Sequence, residues 1–305
     1  MTARFIRRDF LRSTALLAAA AFGVPLYAQQ KKDDKPQSDP LETLEEYVPK
    51  GPLKQASARF IVNRLGIEKA VAVAKRIGLH GIDLLDPPEW DIINAAGLTV
   101  TMGRVPGHGG IAKGWNNPEN HPLLIEVYSR WIPVAAEKKV PNLIFFSGNR
   151  NALTDEEGLN NCAKGLKQIA ALAEKHNVTL CMELLGKDHK DYQADHTAWG
   201  AELCKRIGSE RVKLLYDIYH LQRSEGDLIN NIRQYKDFIA HYHTAGNPGR
   251  KDIDGTQEIY YPAVVKAILE TGFTGYLAHE FTPLNGMESL RRAVQICDVR
   301  LEKSV

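Results

Sequence analysis

The chain has 305 residues, 44% apolar, 25% charged and 8% aromatic, globular proportions that exclude wholesale disorder, a collagenous repeat and a membrane bundle. Its four cysteines contain no C-x-x-C pair, which excludes a disulfide framework and a zinc ribbon; Cys162, Cys181, Cys204 and Cys297 lie in apolar patterns, as small buried hydrophobes do. The formal charge of +2 is concentrated in residues 1–28, where Arg4, Arg7, Arg8 and Arg12 face only Asp9, so the rest is near neutral and offers no basic face to nucleic acid or anionic membranes.

Residues 1–28 have the layout of a leader: the twin-arginine pair in Arg7-Arg8-Asp9-Phe10-Leu11, an apolar run from Ala15 to Leu26, and a small residue, Ala28, at its close. This predicts export by the Tat route to the periplasm, with no stable membrane anchor after processing. Residues 29–55 are rich in Lys, Asp, Pro and Gln and read as a flexible linker with one short helix around Leu41 to Tyr47.

From residue 56 onward, short apolar runs alternate with stretches of helical period. The predicted strands are Ala58–Val62, Gly81–Leu85, Leu98–Met102, Asn142–Phe146, Thr179–Glu183, Val212–Asp217, Ile239–His243 and Tyr276–Glu280. The intervening helices are Gly66–Ile77, Trp90–Ala96, Leu123–Lys139, one opening at the Thr154 cap and ending near His176, Thr197–Ile207, Asp227–Tyr235 and Pro262–Thr271, with Met287–Leu301 closing the chain. Eight such units are the count of a single-domain (β/α)8 TIM barrel over residues 56–305. An open doubly wound sheet would need a glycine-rich phosphate turn, and neither G-x-G-x-x-G nor G-x-x-x-x-G-K-[ST] occurs.

The last four strands each close on a metal-ligating residue type: Glu183, Asp217, His243 and Glu280. In a barrel, C-terminal strand ends ring the active site. Side chains alternate faces, so Cys181, Leu215, His241 and Ala278 would fill the layer beneath. Each residue alone is equally a helix cap or a solvated loop group. Together, three carboxylates and one imidazole cannot share a mouth without compensation, and a divalent cation supplies it. An oxygen-rich set with one nitrogen suits Mn2+ or Mg2+, with Co2+ and Zn2+ also compatible.

Cys181-Met182-Glu183-Leu184-Leu185, Asp217-Ile218-Tyr219-His220, His241-Tyr242-His243 with Asn247-Pro248-Gly249-Arg250, and His279-Glu280-Phe281 resemble the hydroxypyruvate isomerase family, within the xylose isomerase-like barrels that also include ketose 3-epimerases. The resemblance implies that Glu183, Asp217, His243 and Glu280 hold one metal ion. It also implies that Glu183 and Glu280 exchange protons with a substrate, that His220 and Arg250 contact its oxygens, and that Glu258 belongs to a substrate-side loop motif. His243 follows the epimerase habit, since bacterial hydroxypyruvate isomerases tend to carry Gln there. The loop Gly186 to His196 departs from both patterns. His108 and Trp115, on the long Gly103–Asn120 loop, either close over a sugar or form mobile surface.

The expected activity is therefore proton transfer alpha to a carbonyl through an enediolate, on a small ketose or hydroxy-keto acid. An exported lyase or hydratase acting on 3-keto-glycosides would use the same residues. A multi-metal endonuclease would need more histidine ligands and a basic face. A sugar-binding protein would not need both glutamates. The expected partner is a small-molecule sugar or keto-sugar, with an oligomer possible.

Overall fold

The computed structural model describes residues 39–301. The leader expected in residues 1–28 lies outside them. Eight parallel strands form one curled sheet in the order β3-β2-β1-β8-β7-β6-β5-β4. They are β1 Lys54–Ala58, β2 Gly81–Asp83, β3 Thr99–Val100, β4 Asn142–Phe145, β5 Thr179–Glu183, β6 Val212–Asp217, β7 Ile239–Thr244 and β8 Tyr276–His279. The ring closes between β3 and β4 through Gly103, whose N–H donates to the Asn142 carbonyl at 2.8 Å and whose carbonyl accepts from Ile144 N–H at 3.1 Å. A side chain there would strike Trp90 and Leu143, so only glycine admits this close approach.

Around the ring lie the helices α1 Pro40–Thr43, α2 Ile67–Arg76, α3 Pro87–Ala95, α4 His121–Glu137, α5 Asp155–His176, α6 Thr197–Ile207, α7 Ile218–Ser224, α8 Leu228–Gln234, α9 Tyr261–Glu270 and α10 Gly286–Ile296. The expected barrel stands. β5 and β6 match their predicted bounds because both faces of each are covered, by barrel interior and by helices. α5 starts where its cap requires. Thr154 Oγ1 accepts from Glu157 N–H, and the Glu157 carboxylate accepts from Thr154 N–H.

Two expectations need correction. The first strand is Lys54–Ala58, and residues 59–65 form a 3-10 turn instead; Ile61 and Val62 are buried from that turn, which is why they imitate a strand. The second concerns the linker. Leu44 and Leu53 are buried, the Tyr47 hydroxyl donates to Asp298 Oδ2 at 2.6 Å, and Lys50 and Gly51 N–H groups bond the same carboxylate. This part of residues 29–55 therefore packs on the barrel's N-terminal end, its helix reduced to Pro40–Thr43. Three dispersed anchors, Leu44, Tyr47 and Leu53, in a polar stretch give no periodic signal.

Met102, Ile144, Cys181 and Leu215 fill one side of the barrel interior beneath the mouth, and the large core lies between strands and helices. All four cysteines are free and buried. Among the described residues, no helix is long and apolar enough to cross a membrane.

Candidate metal centre and active site

Glu183 ends β5, Asp217 ends β6, His243 is one residue short of the end of β7, and Glu280 follows β8. The strands thus deliver four side chains to one place: their ligand atoms lie within 4.8 Å of one another, and all four residues are buried. His243 Nδ1 stands 3.4 Å from Glu183 Oε1 and 2.8 Å from Glu280 Oε2. Neither contact has hydrogen-bond geometry, and Nδ1 has no hydrogen-bond partner. Asp217 divides its carboxylate: Oδ1 accepts from Tyr219 and His220 N–H at 2.9 and 3.2 Å, capping α7, while buried Oδ2 accepts nothing. Buried oxygen and nitrogen atoms converging on one point, two of them without a hydrogen-bond partner, are what a divalent cation satisfies, so these residues fit one.

The electrostatics differ among the four. Burial raises the Glu183 carboxyl, a tendency that His243 only partly offsets. Burial also opposes ionisation of Glu280, but His243 and the Arg250 guanidinium overcome it and hold that carboxyl at about 2. For His243 burial disfavours the charge, yet Glu280, Asp83 and Glu183 outweigh it and lift the imidazole well above its ordinary value.

Arg250 reaches the cluster from the β7–α9 loop, with Nη2 2.7 Å from Glu280 Oε2 and 3.6 Å from Asp217 Oδ2. His220, on α7, is buried with neither ring nitrogen hydrogen-bonded; its Nε2 lies 3.7 Å from Asp217 Oδ2. Both expected substrate contacts are therefore at the mouth. His108 packs its ring 5.5 Å from that of Phe146, which leans on the barrel-interior cluster, and so it too stands at the rim.

Two expectations fare differently. Glu258 is exposed and accepts from Asn247 Nδ2 and from Gln222 Nε2, bracing the turn that carries Arg250 rather than entering the cluster. Trp115 is buried against His121 and Tyr128, between α4 and the loop, and forms core.

Several residues of the site were not foreseen. Asp83, at the end of β2, lies under His243, with its Oδ2 2.9 Å from Nε2. The rule that singled out the other strand ends misses it, because Leu84 and Leu85 continue the apolar run past Asp83; an acid inside an otherwise apolar strand is the signal it leaves. Asp188, in the Gly186–His196 loop, pairs with Arg223 at 2.8 Å and lies 3.3 Å from His220 Nδ1. Tyr192 latches that loop: its hydroxyl donates to the Glu183 carbonyl at 2.9 Å and accepts from Ser147 N–H at 2.9 Å. Gly186 admits no side chain, because a Cβ would meet Ser224 and the His220 carbonyl.

A ring of eight parallel strands with three carboxylates and an imidazole at its C-terminal mouth defines a (β/α)8 barrel whose site can hold a divalent metal. The chain belongs to the xylose isomerase-like TIM barrel family, which matches residues 71–297. It is 27% identical over 232 residues to the hydroxypyruvate isomerase of Escherichia coli (strain K12), covering 71% of this chain and 88% of that one. Among solved structures, an AP endonuclease, family 2, from Brucella melitensis superposes with a TM-score of 0.71 at 20% identity, covering 78% of this chain and 96% of the other. A 3-keto-D-glucoside 4-epimerase from E. coli superposes at 0.66 and 17%, covering 81% and 99%. At those identities the superpositions show the fold. The curated relatives it matches include a hydroxypyruvate isomerase, a 2-oxo-tetronate isomerase and a D-psicose 3-epimerase.

Proposed function

We propose that this protein is a metal-dependent isomerase or epimerase that moves a proton alpha to a carbonyl through an enediolate, on a small ketose or hydroxy-keto acid. The observation that carries the reading is the approach of both Glu183 and Glu280 to the same His243 Nδ1 atom, 3.4 and 2.8 Å away. Glu183, Asp217, His243 and Glu280 would hold one divalent ion. Mn2+ or Mg2+ suits the oxygen-rich set, and Co2+ or Zn2+ is compatible with it. When bound, such an ion supplies Lewis-acid stabilisation of negative charge on substrate oxygens.

The chain's own residues perform the rest. One glutamate removes the proton beside the carbonyl and the other returns one. Return to the same carbon from the opposite face epimerises, and return to the neighbouring carbon isomerises. His220 offers an imidazole N–H to a substrate hydroxyl or carbonyl. Arg250 neutralises Glu280 and faces the same oxygens, and His108 covers the rim. Elimination from a 3-keto-glycoside would start with the same proton removal. The leader pattern of residues 1–28 supports an enzyme exported by the Tat route and at work in the periplasm.

The test is deuterium exchange. Purified protein with Mn2+ in D2O is offered ketoses, hydroxypyruvate and 3-keto-glycosides. Wash-in at the alpha carbon with an isomer or epimer as product is the expected result. Elimination products would redirect the reading to a lyase, and absence of exchange across the panel would remove it.

A further inference from the structure

Asp83 has no place in the proton transfer described above, yet it is a carboxylate with no solvent exposure inside the barrel. It comes from β2, three strands round the ring from β7, and reaches across the interior. Its Oδ2 lies 2.9 Å from His243 Nε2, its Oδ1 lies 3.1 Å from His241 Nε2, and the Thr101 hydroxyl donates to Oδ1. An ionised carboxylate only accepts hydrogen bonds. Facing one, His243 Nε2 must be the nitrogen that carries hydrogen. In the neutral ring, the form that ligates a metal, the other nitrogen, Nδ1, then turns a lone pair toward Glu183 and Glu280. A lone pair facing two carboxylates is repulsive unless a cation stands between them.

We propose that Asp83 is a positioning residue that fixes the His243 ring and its Nε2–H tautomer, so that Nδ1 is presented as a metal ligand. The Thr101 hydroxyl holds Asp83 in turn, with the His241 ring packed beside it. The inference rests on the metal-site reading above and adds to it a residue that touches neither ion nor substrate. Carboxylate–imidazole pairing of this kind raises the basicity of the ligating nitrogen and removes the freedom of the ring to rotate away. The alternative arrangement, Asp83, His241 and His243 as ligands of a second ion, would need His243 Nε2 free of hydrogen.

Two measurements test this. The first is Mn2+ binding to the whole protein, followed by the electron paramagnetic resonance of free Mn2+. Wild type should bind one ion, and Asp83→Asn should bind it about 10–100-fold more weakly, with an unchanged circular dichroism spectrum. Thr101→Val, which leaves the carboxylate in place, should weaken binding less. The second needs no variant. In Zn2+-loaded wild type, 15N NMR should show His243 metal-bound at Nδ1, with a slowly exchanging proton on Nε2. Equal Mn2+ affinity in Asp83→Asn, two ions per wild-type chain, or His243 bound through Nε2 would each overturn the inference while leaving the metal reading intact. A wild-type protein that takes up no Mn2+ would remove both.

Discussion

His243 and His279 lie on adjacent strands, both without solvent exposure, and their surroundings are opposite. His279 faces the helices. Its Nδ1 meets Thr244 Oγ1 at 2.9 Å and its Nε2 meets Gln55 Oε1 at 2.9 Å, while Gln55 Nε2 donates to the Val294 carbonyl at 3.1 Å. Every polar atom of that chain has a neutral partner, and burial lowers the imidazole to about 3. His243 faces the barrel mouth among Asp83, Glu183 and Glu280, with Nδ1 unpartnered. The difference separates scaffold from site: a closed hydrogen-bond set needs nothing further, and an open one at a strand end calls for a ligand.

The largest effect that would sharpen this contrast is on turnover. Glu183→Gln and Glu280→Gln should each lower alpha-proton exchange by about 10²–10⁴-fold, the usual worth of a positioned acid or base. The metal-free melting temperature of Glu183→Gln should hold or rise, because burial already disfavours that carboxylate, whereas that of Glu280→Gln should fall, because it strips Arg250 and His243 of the carboxylate they pair with. Unaltered exchange in both variants would break the two-carboxylate scheme. On the scaffold side the signature should reverse. His279→Leu leaves the Gln55 and Thr244 oxygens without their buried partner and should lose about 2–4 kcal/mol of unfolding free energy in urea, while Mn2+ affinity stays within a few-fold of wild type. A large fall in that affinity would merge the two regions into one.

The smallest effect is on the pH dependence of stability. His279 is held at about 3 in the folded protein against 6.5 when exposed, so the unfolded chain binds the extra proton. Its contribution is complete above pH 6.5 and is lost as pH falls from there toward 3. Between those limits it amounts to about 1.4 kcal/mol per pH unit. Unfolding free energies measured from pH 6.5 down to 4.5 should fall more steeply for wild type than for His279→Gln, and parallel slopes would show that His279 is protonated in the fold.

Much of this was legible without coordinates. The alternation of apolar runs and helical periods is local, and so is the acid or imidazole that closes each of the last four runs, so Glu183, Asp217, His243 and Glu280 stand out one strand at a time. Parallel pairing in register then brings them together: Asp217 lies beside His243 across β6 and β7, and His243 beside Ala278 across β7 and β8.

What the chain by itself determined, then, is the repeat, the handover from strand to loop, and the chemistry at each strand end, because those depend on neighbours within a few residues. Only the tertiary structure decided which nitrogen of His243 faces the carboxylates, that Asp83 lies beneath it, that Glu258 braces a turn, that Trp115 is core, and that residues 44–53 dock. Each depends on groups from distant parts of the chain, Asp83 and His243 being 160 residues apart. Such encounters follow from ring closure and packing, which leave no periodic mark along the sequence.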